Sequence, residues 1–144
     1  MTPARVLAFD FGKRRIGIAL GNTLTGTASP LDTISYHHPE IPWRAIDELV
    51  ANWTPTRLLL GLPKLGDGST SAMEAPIRAF ARQLQKRYDT PVDFVDEAFT
   101  SREAAARLKQ QRRQGRRQKV KKREIDRQAA AIIVEIWLEN QGAT

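Results

Sequence analysis

Apolar and polar positions alternate with a period of two at the start of the chain and change to a helical period further on. In Arg5 to Leu20, RVLAFDFGKRRIGIAL, two β-type runs meet at a short, basic, glycine-bearing turn. Side chains on a strand alternate faces, so Val6, Ala8 and Asp10 point one way and Leu7, Phe9 and Phe11 the other. Thr27 to Ser35 has the composition of a third strand, and Pro30 within it places that strand at a sheet edge. After the loop Tyr36 to Pro42, the positions Ile46, Leu49, Val50 and Trp53 recur at i, i+3, i+4 and i+7, which predicts an amphipathic helix over Trp43 to Trp53, ended by Pro55. Arg57 to Leu62 is a continuous apolar run bounded by Gly61 and Pro63, the pattern of a strand covered on both faces and paired in parallel.

The loop Pro63 to Thr70 is rich in turn formers, and Ser71 with Glu74 matches a capping box for a helix that buries Ile77, Phe80, Ala81, Leu84 and Tyr88. Pro91 opens a short strand, PVDFVDE, that delivers Asp96 and Glu97 to its C-terminal end. Thr100 and Glu103 match a second capping box, for a helix running into a basic segment. A last helix over Glu124 to about Asn140 packs Ile125, Ala129, Ile132, Ile133, Ile136 and Trp137. The order β-β-β-α-β-α-β-α-α predicts a single α/β domain over 1–144. Its mixed five-stranded sheet combines an antiparallel three-strand meander with two parallel strands, has helices on both faces, and is of RNase H-like type. A purely parallel sheet is excluded because the first two strands are too close for a crossover.

Composition narrows the chemistry. Cysteine is absent, which removes thiolate catalysis and thiolate metal sites, and the only histidines, His37 and His38, sit in a proline-flanked loop. With no bilayer-length apolar run and no signal-peptide pattern in residues 1–5, the chain reads as soluble and cytoplasmic. The net charge of +7 is concentrated: Arg102 to Arg123 holds eleven basic residues and one acid, which leaves twelve basic and fifteen acidic residues elsewhere. Such a block, densest over about 109–123, stays solvated and suits a polyanion, nucleic acid ahead of a merely solvated face and of an anionic membrane surface.

An ionised acid on an apolar strand face needs a cation, a donor cluster or a metal. Asp10 is therefore the first candidate site residue. Glu97, beyond the carboxyl end of the last strand, is the second, because ligands of open sheets gather there. The third is Asp126, which shares a helical stripe with Ala129, Ala130 and Ile133, the side that must lie against the sheet. Three carboxylates without histidine or cysteine form a hard oxygen site suited to Mg²⁺ or Mn²⁺. Two such ions about 3.5 to 4 Å apart support in-line hydrolysis of a phosphodiester. Each acid also has a structural reading. Asp10 could cap a turn by accepting the Gly12 and Lys13 amides, Asp96 and Glu97 could accept backbone donors at a strand end, and Asp126 could serve the helix N-terminus. Lys13, Arg14 and Arg15 beside Asp10, and the loop Gly61 to Ser69, could hold phosphates. Gly12 and Gly17 could permit close backbone approach.

Four stretches together resemble the YqgF/RuvX family, relatives of the Holliday junction resolvase RuvC: DFGKRRIGIA at 10–19, GLP at 61–63 followed by Gly66 and Asp67-Gly68-Ser69, VDEAFTS at 95–101, and Ile125-Asp126 followed by Ala129-Ala130. The resemblance implies a metal-dependent nuclease with Asp10, Glu97 and Asp126 as catalytic metal ligands. Arg102, Arg112, Arg113, Arg116, Arg117, Lys119, Lys121, Lys122 and Arg123 join Lys13, Arg14 and Arg15 as candidate nucleic-acid contacts. Family members are described as resolvases of four-way DNA or as nucleases maturing the 5′ end of the small-subunit ribosomal RNA precursor. The leading expectation is Mg²⁺-dependent cleavage of that precursor, with the small subunit as a possible partner and a monomer or homodimer as the acting species. Alternatives are junction resolution and a non-catalytic RNA-binding role in ribosome assembly. Ala98 stands where the family usually has arginine after the glutamate, so Arg102 one turn on is the nearest substitute.

Overall fold

The computed structural model describes residues 4–63, 72–96 and 122–141. Strands β1 (Arg5–Phe11), β2 (Arg15–Asn22) and β3 (Thr27–Ser35) form the expected meander. β4 (Arg57–Leu62) pairs in parallel with β1, and β5 (Val92–Asp96) pairs in parallel with β4, so the order across the sheet is β3-β2-β1-β4-β5. Pro30 lies on the edge strand β3 as its missing amide requires, next to a register shift between Ile18 and Ala19. Gly26, at φ +66°, makes the β2–β3 turn. Helices α1 (Trp43–Trp53), α2 (Glu74–Tyr88) and α3 (Lys122–Gln141) complete the described elements, and none of these helices is long and apolar enough to cross a membrane.

Alternation in β1 and β2 divides the core into two layers. Leu7, Phe9, Phe11, Ile16 and Ile18 pack with Ile46 of α1 and with Ile77, Phe80, Ala81 and Leu84 of α2. Phe80 is central: it stacks on Phe11 at 4.6 Å between ring centroids and meets Phe9 edge-on at 5.8 Å. Removing that ring leaves a large hole in a packed layer, so Phe80→Ala is expected to lower unfolding free energy by about 3–5 kcal/mol, read from urea denaturation.

On the opposite face Val6, Ala8, Ala19, Leu59 and Val95 pack against Ala130, Ile133, Val134 and Ile136 of α3. Gly17, Ala19 and Gly21 all lie on this face of β2 and let the helix sit close to the strand. A methyl group on Gly21 would come within 2.5 Å of Val134 Cγ1 and 2.6 Å of Val6 Cγ2. A helix seated so close is covered over a wide arc. Ala131 and Val134 are buried as well as Ala129, Ile132, Ile133 and Ile136 of the predicted stripe, while Ile125 and Trp137 are half-buried.

Two helix ends differ from expectation. α2 starts at Glu74 with Met73 as its N-cap and no side-chain cap hydrogen bond, and Glu74 accepts from Arg78 at 3.0 Å; Ser71 of the predicted capping box lies outside the described residues. α3 starts at Lys122, two residues before the predicted Glu124. The second predicted capping box, Thr100 and Glu103, lies outside the described residues.

The apolar layer is closed on one side by a polar clamp between α1 and α2. Arg87 donates to Asp47 at 2.7 and 2.8 Å, and the Tyr88 hydroxyl donates to the same carboxylate at 2.6 Å. The Arg87 hydrogen bond first, then that of Tyr88, holds the Asp47 carboxyl at about 2, below the ordinary carboxylate value. A depressed folded value stabilises the fold above the ordinary pKa and loses that contribution as pH falls through the folded one. The stability difference between wild type and Asp47→Asn should therefore shrink between about pH 4 and pH 2, measured by thermal melts across that range.

Candidate active site

Asp10 closes the α3-facing row of β1 and is half-buried. Its cross-strand partner is Gly17. A methyl group on Gly17 would overlap the Asp126 carbonyl and come within 3.1 Å of the Arg127 amide nitrogen. The first turns of α3 thus lie directly on the β2 residue paired with Asp10. From there the helix runs along β2 toward Gly21 and Val134, so its N-terminal end sits at the carboxyl end of β1. Because β4 and β5 are parallel to β1, this is the carboxyl end of all three parallel strands, where open sheets gather ligands.

The start of α3 is tied down from both sides. Arg123 donates through Nη2 to the Thr33 carbonyl at 2.6 Å and through Nη1 to Ser35 Oγ at 3.1 Å. In return the buried Thr33 hydroxyl donates to the Arg123 carbonyl. Three residues on, Asp126 Oδ2 accepts from Arg15 Nε at 2.6 Å. Arg15 and Gly17 share a strand face, which brings the guanidinium beneath the helix.

These contacts sort the structural alternatives for the acids. The Gly12 amide donates to the Arg15 carbonyl at 3.0 Å, closing the β1–β2 turn through the backbone. Asp126 is the fifth residue of α3, past the first turn in which a helix dipole is strongest, and its carboxylate is turned to Arg15. Asp96 closes β5 in register with Leu62. Trp43, Trp53 and Trp137 pack against the two apolar layers, as helical spacing predicted.

Of the predicted site residues, Asp10, Asp126 and Arg15 are brought together, and Lys13 and Arg14 lie exposed at the adjoining turn. Glu97, Arg102, Arg112, Arg113, Arg116, Arg117, Lys119 and Lys121 lie outside the described residues, as do Ala98 and most of the Gly61 to Ser69 loop. Lys122 opens α3, and the Arg123 guanidinium fastens α3 to β3. Sequence reasoning passed over the spacing of Gly17, Ala19 and Gly21, although small residues at every second position of one strand are a signal for close helix seating. It also passed over Tyr36, whose hydroxyl donates to the Gly12 carbonyl at 2.5 Å and whose burial raises its pKa.

The chemistry of the donor set fits a hard divalent cation: two carboxylates from separate elements, at a strand end, without a sulfur or imidazole ligand beside them. Among the described residues no group of three acids or histidines is assembled. A third oxygen donor would have to come from outside them.

A mixed β3-β2-β1-β4-β5 sheet with helices on both faces and Asp10 near the carboxyl end of its central strand has the architecture of an RNase H-like domain. The fold is similar to Thermus thermophilus RuvC, solved in complex with a Holliday junction substrate, at a TM-score of 0.64 and 13% identity over 97% of both chains. It is also similar to the yeast mitochondrial Holliday junction resolvase at 0.58 and 12% identity, covering 96% of this chain and 79% of that one. The chain belongs to the RuvX family, whose model, described as Holliday junction resolvase, matches residues 4–140. Relatives named "Putative pre-16S rRNA nuclease" include those of Dechloromonas aromatica, 43% identical over 135 residues (94% of this chain, 90% of the relative), and Methylococcus capsulatus, 42% identical over 135 residues (93% and 87%).

Proposed function

We propose that this protein is a divalent-metal-dependent endonuclease that hydrolyses phosphodiester bonds of structured RNA in the cytoplasm, acting at the 5′ end of the small-subunit ribosomal RNA precursor. The observation that carries this reading is the seating of α3 on Gly17, which sets Asp126 beside the strand position paired with Asp10. Asp10 and Asp126, with Glu97 two residues after the α3-facing Val95, would hold Mg²⁺ or Mn²⁺. The bound metal supplies an activated water and stabilises the leaving oxygen of the displacement. Arg15 holds the Asp126 carboxylate in position and presents the rest of its guanidinium to an approaching phosphate. Lys13 and Arg14 add positive charge beside it. The choice of ribosomal RNA rests on the names of relatives at 40–43% identity.

The family description favours a second reading, resolution of four-way DNA. A resolvase cuts paired strands as a symmetric dimer. Cleavage of end-labelled precursor RNA and four-way DNA, side by side in Mg²⁺ or EDTA, separates the two. Metal-dependent cutting of RNA by a monomer supports the first, and paired nicks in DNA by a dimer support the second. Binding of both without cutting would put a non-catalytic assembly role ahead and overturn the nuclease reading.

A further inference from the structure

We propose that the cleft between the β1–β2 turn and the segment following β3 is a second anion subsite, which holds a backbone phosphate of the nucleic-acid strand next to the bond being cut. The proposal rests on the nuclease reading of the neighbouring carboxylates and specifies how that site takes its strand. One wall of the cleft is Lys13, Arg14 and Arg15, and the other is Tyr36, His37 and His38, with Ser35 at the join. Among the described residues no carboxylate lines this open cleft; Arg15 is paired with Asp126, and Lys13 and Arg14 bring two further formal positive charges to it. Such a space selects an anion. Its volume of about 620 Å³ is well beyond what a single phosphate fills and falls in the range, about 300–1,000 Å³, that holds a nucleotide-sized group.

Position decides which anion. Arg15 belongs both to this cleft and to the carboxylate site, since its Nε is 2.6 Å from Asp126 Oδ2. A phosphate held here therefore lies one guanidinium away from the proposed metal ligands, as the neighbouring phosphate of one continuous strand would. The two histidines add imidazole N–H donors of the kind that bind phosphate.

The walls are fixed before a ligand arrives. The Tyr36 amide donates to the Arg14 carbonyl at 3.0 Å, and the Tyr36 hydroxyl donates to the Gly12 carbonyl at 2.5 Å. The Tyr36 ring rests against Phe11 at 6.2 Å, anchoring the join to the apolar layer. Tyr36 is thus a positioning residue that holds the basic turn opposite the imidazoles, and binding need not supply the cost of ordering them.

The test is binding of a fluorescently labelled single-stranded RNA oligonucleotide in EDTA, where cutting does not interfere, for wild type, His37→Ala/His38→Ala and Tyr36→Phe. Circular dichroism melts check that each variant is folded. The double histidine variant should bind about tenfold more weakly, equivalent to about 1.4 kcal/mol. Tyr36→Phe, which keeps the ring and loses the hydroxyl bond, should weaken binding by about threefold and raise KM with little change in kcat. Inorganic phosphate should compete only at concentrations far above the oligonucleotide affinity. Unchanged affinity in the folded histidine variant, no measurable binding by wild type, or phosphate binding as tight as the oligonucleotide would each overturn the proposal. Histidine-dependent binding without cleavage in Mg²⁺ would instead overturn the nuclease reading alone, and normal cleavage with histidine-independent binding would overturn the subsite alone.

Discussion

Asp10→Asn should lower the single-turnover cleavage rate by about 10³-fold or more while leaving the protein folded. Asparagine keeps the shape of the side chain and loses the charge that a divalent cation needs, and a loss of about 4 kcal/mol of transition-state stabilisation corresponds to that factor. Asp10 is half-buried at a strand end, so replacing it by an isostere should change unfolding free energy by no more than about 1 kcal/mol. Asp126→Asn should reduce the rate comparably, and the double variant should be little worse than either single one, because residues that act as a unit are not additive. Rates are measured with enzyme in excess over end-labelled substrate, with urea melts alongside. A double variant that still cuts at the wild-type rate would remove these acids from the chemistry.

Gly17→Ala carries the second large effect. Its new methyl group meets backbone, the Asp126 carbonyl, which cannot rotate away as a side chain can. The helix must lift from β2, at a cost of about 1–3 kcal/mol in stability. Lifting moves Asp126 away from the Asp10 side of the sheet, and a misplacement of about 1 Å in a catalytic group costs about 10²-fold in rate. Gly21→Ala is the control. There the added methyl meets the Val134 and Val6 side chains, farther along the helix from Asp126. Stability should fall by a similar amount while the rate falls far less. Equal rate losses in the two variants would mean that seating at Gly17 does not set the site.

Local pattern carried much of the fold. Alternation in RVLAFDF and RIGIAL fixed which side chains share a face, and Pro30 placed β3 at the edge because a missing amide has the same consequence wherever the strand lies. The shared stripe of Asp126, Ala130 and Ile133 turned the acid toward the sheet, and Ala130 and Ile133 are fully buried there. Local pattern failed where the decisive contact joined distant parts of the chain. Arg15 and Asp126 are 111 residues apart, and Tyr36 and Gly12 are 24 apart. No periodicity links either pair. Gly17 lies between these cases, since the residue is visible in the sequence but the backbone it admits is not.

The central claim, that α3 brings Asp126 to Asp10 to form a divalent-metal site, is tested most directly by Mn²⁺ titration followed by electron paramagnetic resonance. Wild type, Asp10→Asn and Asp126→Asn would be compared, each with a bound RNA oligonucleotide. Wild type should deplete the free-ion signal at a protein-stoichiometric site, and each variant should lose that site, with Mn²⁺ affinity falling by at least about tenfold. Equal Mn²⁺ binding by all three proteins, or no stoichiometric site in wild type, would contradict it.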